Sequence, residues 1–130
     1  MLKLAAVLSL LVASAMGYSG YKALIPNGDS VPNPCGDGTW PGVGHWLIYG
    51  TGERNPFGED FKANGYTWNA ALCFKDSDGD GKTNGEELGD YACDWLSEYP
   101  IQLDPAIGHP GICEPVDSPA CIAKQPDFNC

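Results

Sequence analysis

The chain has 130 residues, with 17 Gly, 11 Pro and 6 Cys, and a formal net charge of −10. This length predicts a single small domain, and the content of Gly and Pro favours turns and loops over a helical bundle. The excess of 17 acidic over 7 basic residues argues against a nucleic-acid partner, because phosphate would repel the protein. No apolar run reaches the roughly 20 residues of a membrane span, so we expect no membrane partner.

The N-terminal segment 1–17 has the pattern of a secretory signal peptide. Lys3 supplies a positive charge, residues 4–13 form a short apolar run, and Ala15–Gly17 places small residues at the positions that a signal peptidase recognises. We predict cleavage at the end of this segment. The remaining chain, 18–130, is then one secreted, extracellular domain.

The N-terminal part of that domain is predicted to be extended or irregular. Residues 21–25 are expected to form a strand, and the sequence Pro-Asn-Gly-Asp at 26–29 is typical of a turn. The glycine-rich segment 36–52 is predicted to be a loop anchored by aromatic side chains such as Trp40. A second short strand is expected within it, at 46–49.

The middle of the chain carries signals for short helices. Asn55 is a typical N-cap and is followed by Pro, which suits the first helical position, so a helix is predicted over 56–64. Thr67 is expected to cap a second helix over 68–74. A helical turn is predicted at 86–88, where the following glycine ends it.

Between the last two helical segments lies an acidic segment, 76–87, with the spacing of an EF-hand calcium loop. It has carboxylates at its first, third, fifth and twelfth positions and glycine at its sixth. Calcium needs six to eight oxygen ligands at about 2.3–2.6 Å, and alternating Asp residues in a tight coil aim their carboxylates at one point. We predict that one calcium ion is bound by the side chains of Asp76, Asp78, Asp80 and Glu87 and the main-chain carbonyl of Lys82.

The calcium loop is predicted to be solitary and structural. Its eighth position is Thr83, where paired EF-hands usually carry an aliphatic residue, and the chain offers no second loop to pair with. The flanking helices are also too short for the opening motion of a calcium sensor. The predicted fold class is therefore small, disulfide-rich, loop-rich α+β, with short helices around a solitary EF-hand-like calcium loop.

The six cysteines predict three disulfides, because their number is even and the chain is expected to be secreted. Many pairings are possible, and the sequence does not choose among them. We expect one bridge around the acidic loop, one from the N-terminal arm to the C-terminal half and one in the tail: Cys73–Cys93, Cys35–Cys113 and Cys121–Cys130.

Several strings in the chain have an unusual composition, among them Tyr18–Tyr21, Ala23–Gly28, Val31–Cys35, Trp40–His45, Arg54–Gly58, Asp76–Asp90 and His109–Cys113. Together they resemble the temptin family, secreted mollusc proteins that take part in water-borne pheromone attraction. The resemblance implies a secreted signalling protein whose partners are other secreted attractant peptides or proteins and a chemosensory receptor. Segment 46–50 and the tail with its last two cysteines match less well.

Two alternatives to a calcium-stabilised signalling protein remain open. His45 and His109, the only histidines, and Cys113 are soft-metal ligands, and the resemblance favours copper there, which would make the protein a copper-binding or redox module. Against copper, two histidines are few for a catalytic metal centre, and a cysteine in a disulfide cannot bind as a thiolate. The acidic loop and the aromatic residues favour a calcium-stabilised matrix or binding module instead. No hydrolase, zinc-protease or phosphate-binding motif is present, so we expect no enzymatic activity.

Overall fold

The computed structural model describes residues 21–130, so the predicted signal peptide and its cleavage site lie outside the described residues. Within this range the chain forms one 3₁₀ helix and four short α-helices. They are, in chain order, the 3₁₀ helix Tyr21–Leu24, α1 Pro56–Ala63, α2 Ala70–Cys73, α3 Asn84–Leu88 and α4 Pro119–Lys124. The rest of the described chain is turns and loops, and none of its helices is long and apolar enough to cross a membrane.

The prediction of a strand over 21–25 is wrong, because the chain folds back on itself there. Tyr21–Leu24 is a 3₁₀ helix, and the Ile25 amide donates a hydrogen bond to the Lys22 carbonyl at 3.3 Å. Gly28 packs so closely on the Lys22 backbone that a Cβ at position 28 would overlap the Lys22 carbonyl oxygen. Local hydrogen bonds of this kind occupy the groups that a strand would offer to a neighbour.

The predicted strand at 46–49 is also wrong. The Gly50 amide donates to the Leu47 carbonyl at 3.0 Å and the Gly42 amide donates to the Ile48 carbonyl at 2.7 Å, so this segment closes into a turn.

The fold is small and disulfide-rich, with a few short helices and little strand. Across residues 21–130, the β component of the predicted class is limited to isolated bridges at Pro32–Thr39, His45–Arg54 and Leu96–Tyr99.

The helix predicted over 56–64 is confirmed as α1. The Asn55 side chain accepts a hydrogen bond from the Gly58 amide at 2.9 Å, as an N-cap does, and donates to the Val43 carbonyl at 2.8 Å. One side chain therefore caps the helix and fastens it to the preceding loop. Two phenylalanines of α1 lie in the core.

The second helix is shorter than predicted and begins at a different cap. α2 spans Ala70–Cys73, and its N-cap is Asn69, whose side chain accepts from the Leu72 amide at 3.0 Å. The predicted cap, Thr67, instead donates to the Gly65 carbonyl at 3.2 Å. Because Asn ranks above Thr as an N-cap, the later residue starts the helix.

The core lies beneath α1, α2 and α3. The Trp68 indole donates to Asp90 Oδ2 at 2.9 Å, which ties the residues after α3 to this core. Since α2 precedes the acidic loop and α3 closes it, the packing of these two helices against each other holds both ends of the loop. The buried apolar cluster consists of Ile25, Val31, Val43, Phe57, Phe61, Trp68, Leu72, Cys73, Leu88 and Trp95.

One of the three predicted disulfides is confirmed. Cys73 is bonded to Cys93, as predicted, and this bridge links the end of α2 to the segment after α3. The predicted pairings of Cys35 with Cys113 and of Cys121 with Cys130 are wrong. In their place the structure has Cys113–Cys121 and Cys35–Cys130.

The reason for the different pairing is that α4 folds back onto residue 113. Ser118 caps α4 by accepting from the Cys121 amide at 3.2 Å. The Gln125 side chain then accepts from the Cys113 amide at 2.9 Å and donates to the Cys113 carbonyl at 3.0 Å. These contacts bury Cys121 beside Cys113, and the end of the chain is left to bond with Cys35.

Candidate metal centre

Two glycines shape the acidic loop. Gly79 and Gly81 have φ angles of 70° and 93°, in the left-handed region that favours glycine. Both of their amides donate to the Asp76 carboxylate at 2.9 Å. The loop therefore coils around the Asp76 side chain, with Gly81 at the sharp turn that the sequence pattern requires.

Thr83, which departs from the usual EF-hand pattern, caps the helix that closes the loop. Its hydroxyl accepts from the Glu86 amide at 3.1 Å, and the Glu86 carboxylate accepts from the Thr83 amide at 3.4 Å, which is a reciprocal capping box. This cap places Glu87 in the first turn of α3, where its side chain is buried. The Thr-x-x-Glu spacing is the sequence signal that would have revealed this role.

Asn84 fastens the two ends of the loop together. Its side-chain amide donates to the Leu72 carbonyl at 2.8 Å and to the Ser77 hydroxyl at 2.9 Å. Its main-chain amide donates to the Lys75 carbonyl at 2.7 Å. Asn84 is fully buried, so these bonds are shielded from water and hold the loop closed.

The loop carboxylates converge, and two of them are buried. One oxygen from each of Asp76, Asp78 and Asp80 lies within 4.8 Å of the other two. Asp78 is 6% exposed and Glu87 is 1% exposed. Asp78 Oδ2 and Glu87 Oε1 have no hydrogen-bond partner anywhere in residues 21–130. A buried carboxylate oxygen without a partner is costly unless a cation or a proton compensates it.

Crowding of these groups perturbs their ionisation. Burial raises the pKa of Asp78 to about 9, and the charge of Asp80 adds to the rise. Burial raises the pKa of Glu87 to about 11, and the charges of Asp78 and Asp80 contribute. Each group therefore holds a proton at neutral pH unless a cation replaces it. Such a set of oxygens is suited to a hard divalent cation.

The structure places Lys82 beside this group and adds a carboxylate that the sequence analysis missed. The Lys82 amide donates to Asp80 Oδ1 at 3.1 Å; ligation by the Lys82 carbonyl stays a prediction. The missed residue is Glu114, whose amide donates to Asp80 Oδ2 at 3.4 Å and whose Oε1 accepts from the His109 amide at 2.7 Å. No motif connects Glu114 with the loop, and only the fold brings them together.

His109 is a buried structural residue in this fold. Burial lowers its pKa to about 3, so the ring is neutral. Its Nδ1 accepts from the Gly111 amide at 3.0 Å, and its ring packs edge-on to Trp40 with the ring centroids 5.6 Å apart. Because Nδ1 accepts this bond, the proton of the neutral ring is assigned to Nε2, which is buried and has no hydrogen-bond partner in residues 21–130.

The other residues of the alternative copper site do not fit a copper centre either. Cys113 is bonded to Cys121, so it offers no thiolate. His45 Nδ1 lies 3.1 Å from the Gly52 carbonyl oxygen. Among residues 21–130, no group of three converging metal-ligating side chains includes a histidine.

Comparison with known proteins relates most of the chain to one family. The family model described as Temptin C-terminal matches residues 15–112. Temptin of Aplysia californica is 52% identical over 107 residues, which are 82% of this chain and 86% of that protein. No solved structure matches the chain. The extent of both matches, which include the whole acidic loop, confirms the resemblance found in the sequence, and the chain belongs to the temptin family.

Proposed function

We propose that the protein is a secreted, non-enzymatic signalling protein of water-borne attraction, stabilised by one calcium ion in the acidic loop. The signalling role is supported by the identity of 52% to temptin of Aplysia californica and by the pheromone role that the family resemblance implies. Its partners would be other secreted attractant peptides or proteins and a chemosensory receptor. Three disulfides and a bound ion suit a small domain that must stay folded in open water.

One observation carries the calcium site. Asp78 Oδ2 and Glu87 Oε1 are buried and without hydrogen-bond partners in the described chain, and both belong to the acidic loop. The ligands are all oxygens, which favours a hard cation over copper. Calcium accepts six to eight oxygens in flexible geometry, whereas magnesium retains several waters and is bound by few carboxylates. A site with buried carboxylates therefore favours calcium.

Calorimetric titration of the chelator-stripped protein should show one calcium site. Asp80→Ala is expected to abolish the binding heat, because it removes a ligand at the centre of the group. Glu98→Gln is the matched control, since Glu98 is an exposed carboxylate outside the loop, and it should bind calcium like the unchanged protein. No binding heat at millimolar calcium in the unchanged protein would refute the site.

Calcium binding should release protons near neutral pH. The raised pKa values, about 9 for Asp78 and about 11 for Glu87, keep both carboxyls protonated in the metal-free fold, whereas calcium binds the ionised forms. Titrations in buffers of different ionisation enthalpy measure this release. A binding enthalpy that is the same in every buffer would contradict it.

The same shifts make the stabilisation by calcium depend on pH. For the metal-free fold, groups with raised pKa contribute stability that is complete below their ordinary pKa values of 3.8 and 4.5 and is lost as the pH rises toward about 9 for Asp78 and about 11 for Glu87. The difference in melting temperature between calcium and chelator should therefore increase over that pH range.

The signalling role is tested by an attraction assay with the purified protein, alone and mixed with other secreted attractants. The mixture should attract conspecific animals more strongly than the attractants alone. Protein that has been reduced and unfolded serves as the control and should add nothing. Equal attraction with and without the folded protein would contradict the proposed signalling role.

A binding module is the second candidate function, favoured by an aromatic cleft near the C-terminus. The rings of Trp46 and Phe128, with centroids 5.8 Å apart, line a cleft of about 480 Å³. Leu47 at its edge is 55% exposed, and Lys124 and Asp127 add charges. Such a cleft suits a ligand with one apolar anchor. Retention of the protein in extracellular matrix, rather than release into water, would favour this function over signalling.

A further inference from the structure

The segment 108–114 lies against the end of the acidic loop. The Glu87 carbonyl accepts hydrogen bonds from the Ile107 amide at 2.8 Å and from the Gly108 amide at 3.3 Å. A Cβ built on Gly108 would lie 3.2 Å from Glu87 Oε2 and 3.5 Å from Glu114 Oε1. The carboxyl groups of Glu87 and Glu114 therefore lie on the same side of Gly108.

Glu114 is held in this position by the main chain around it. Its Oε1 accepts from the His109 amide at 2.7 Å, and its own amide donates to Asp80 Oδ2 at 3.4 Å. Its side chain is half-buried. The Glu114 carboxyl group is thus held near that of Glu87, and its main-chain amide is bonded to Asp80.

Among residues 21–130, no basic side chain forms an ion pair with Glu114. The ion pairs found within 4.0 Å in residues 21–130 join Lys22 to Asp29, Arg54 to Glu59 and Lys75 to Asp60, so Glu114 and Lys82 do not form one. The Glu114 carboxylate therefore has no cation within ion-pair distance in the part of the chain that the structure describes.

We propose that Glu114 is an additional carboxylate of the calcium site, supplied from outside the EF-hand-like loop. This inference rests on the proposed calcium site. The ion would then join the loop to segment 108–114, and calcium would stabilise the C-terminal part of the domain as well as the loop. The matched range of the family ends at residue 112, so Glu114 lies beyond the part of the chain that the family model covers.

The test is Glu114→Gln, measured by calcium titration and by melting with calcium and with chelator. The amide of Gln keeps an oxygen that can accept from the His109 amide, so the substitution removes the charge and little else. We expect the calcium Kd to rise about tenfold, which corresponds to about 1.4 kcal/mol. In chelator the melting temperature should stay the same or rise, because one repulsive charge is gone. A purely structural role would lower the melting temperature equally in both conditions and would overturn the proposal.

Three further variants separate the possible failures. Glu87→Gln should abolish calcium binding; if it binds calcium normally, the calcium site itself is wrong. If Glu87→Gln abolishes binding while Glu114→Gln binds like the unchanged protein, only the role of Glu114 is wrong. Should Glu114→Gln fail to fold, Glu114→Asp and Glu114→Asn repeat the comparison. The aspartate variant should bind calcium more tightly than the asparagine variant, and equal affinities would refute the inference.

Discussion

Removing calcium with a chelator should lower the melting temperature of the protein by about 10 °C. At free calcium a hundredfold above Kd, binding to the folded state alone stabilises it by about 2.7 kcal/mol. A domain of this size shifts by roughly 4 °C or more per kcal/mol. The physical source is the buried pair Asp78 and Glu87, which must take up protons at neutral pH to fold when no cation is bound. Circular dichroism or scanning calorimetry at neutral pH, with the disulfides intact, measures the shift.

Glu87→Gln distinguishes calcium binding from general damage to the fold. Gln has nearly the same shape as Glu but needs no proton, so the variant avoids the cost of protonating a buried carboxyl when the protein folds without calcium. The variant should therefore melt in chelator at or above the temperature of the unchanged protein and should not respond to calcium. Glu98→Gln, at an exposed position, should respond in full. A melting curve of the unchanged protein that is the same with calcium and with chelator would rule out a structural calcium ion.

Removing two of the disulfides should have different consequences for stability and for calcium affinity. The loss of Cys35–Cys130, with a sequence separation of 95, should lower the free energy of unfolding by about 4.7 kcal/mol, because a long loop gains much entropy in the unfolded chain. The loss of Cys73–Cys93, with a separation of 20, should cost about 3 kcal/mol on the same basis. Denaturant unfolding in excess calcium measures both values.

Calcium affinity should depend more on Cys73–Cys93 than on Cys35–Cys130. Cys73–Cys93 links the residues on either side of the acidic loop, so Cys73→Ala with Cys93→Ala should loosen the loop and raise the calcium Kd about tenfold. Cys35→Ser with Cys130→Ser opens a bridge between residues outside the loop and its flanking helices, and its Kd should stay within about twofold of that of the unchanged protein. A larger loss of affinity in the second variant than in the first would contradict this assignment.

Features that depend on neighbours in the sequence were predicted from the sequence. α1 was predicted because Asn55 and the following Pro specify a helix start within four residues, and the Gly58 amide completes the cap. The acidic loop was predicted because its carboxylates, its glycine at position 81 and its closing Glu87 lie within twelve consecutive positions. Likewise, Cys73 and Cys93 flank one compact loop, which limits the distance between them. Local chain geometry is sufficient for each of these features.

Other features depended on contacts between distant parts of the chain, and the sequence predicted them wrongly or not at all. The two expected strands are a 3₁₀ helix and a turn, because in residues 21–130 no distant segment pairs with them and local hydrogen bonds around Lys22 and Leu47 form instead. The bridge between Cys113 and Cys121 formed because Gln125 holds α4 against residue 113.

The candidate site combines residues that local spacing predicts with one, Glu114, that only the tertiary structure brings to it. The loop pattern identifies carboxylates that chain geometry brings together, so it predicted four acidic side chains. Glu114 reaches the loop only through hydrogen bonds to His109 and Asp80, which require the C-terminal segment to dock on α3. The sequence by itself thus determined the family, the first helix and the acidic loop, since short-range spacing encodes them. The tertiary structure alone decided the strand content, two of the disulfides and the approach of Glu114, since these depend on which distant segments pack together.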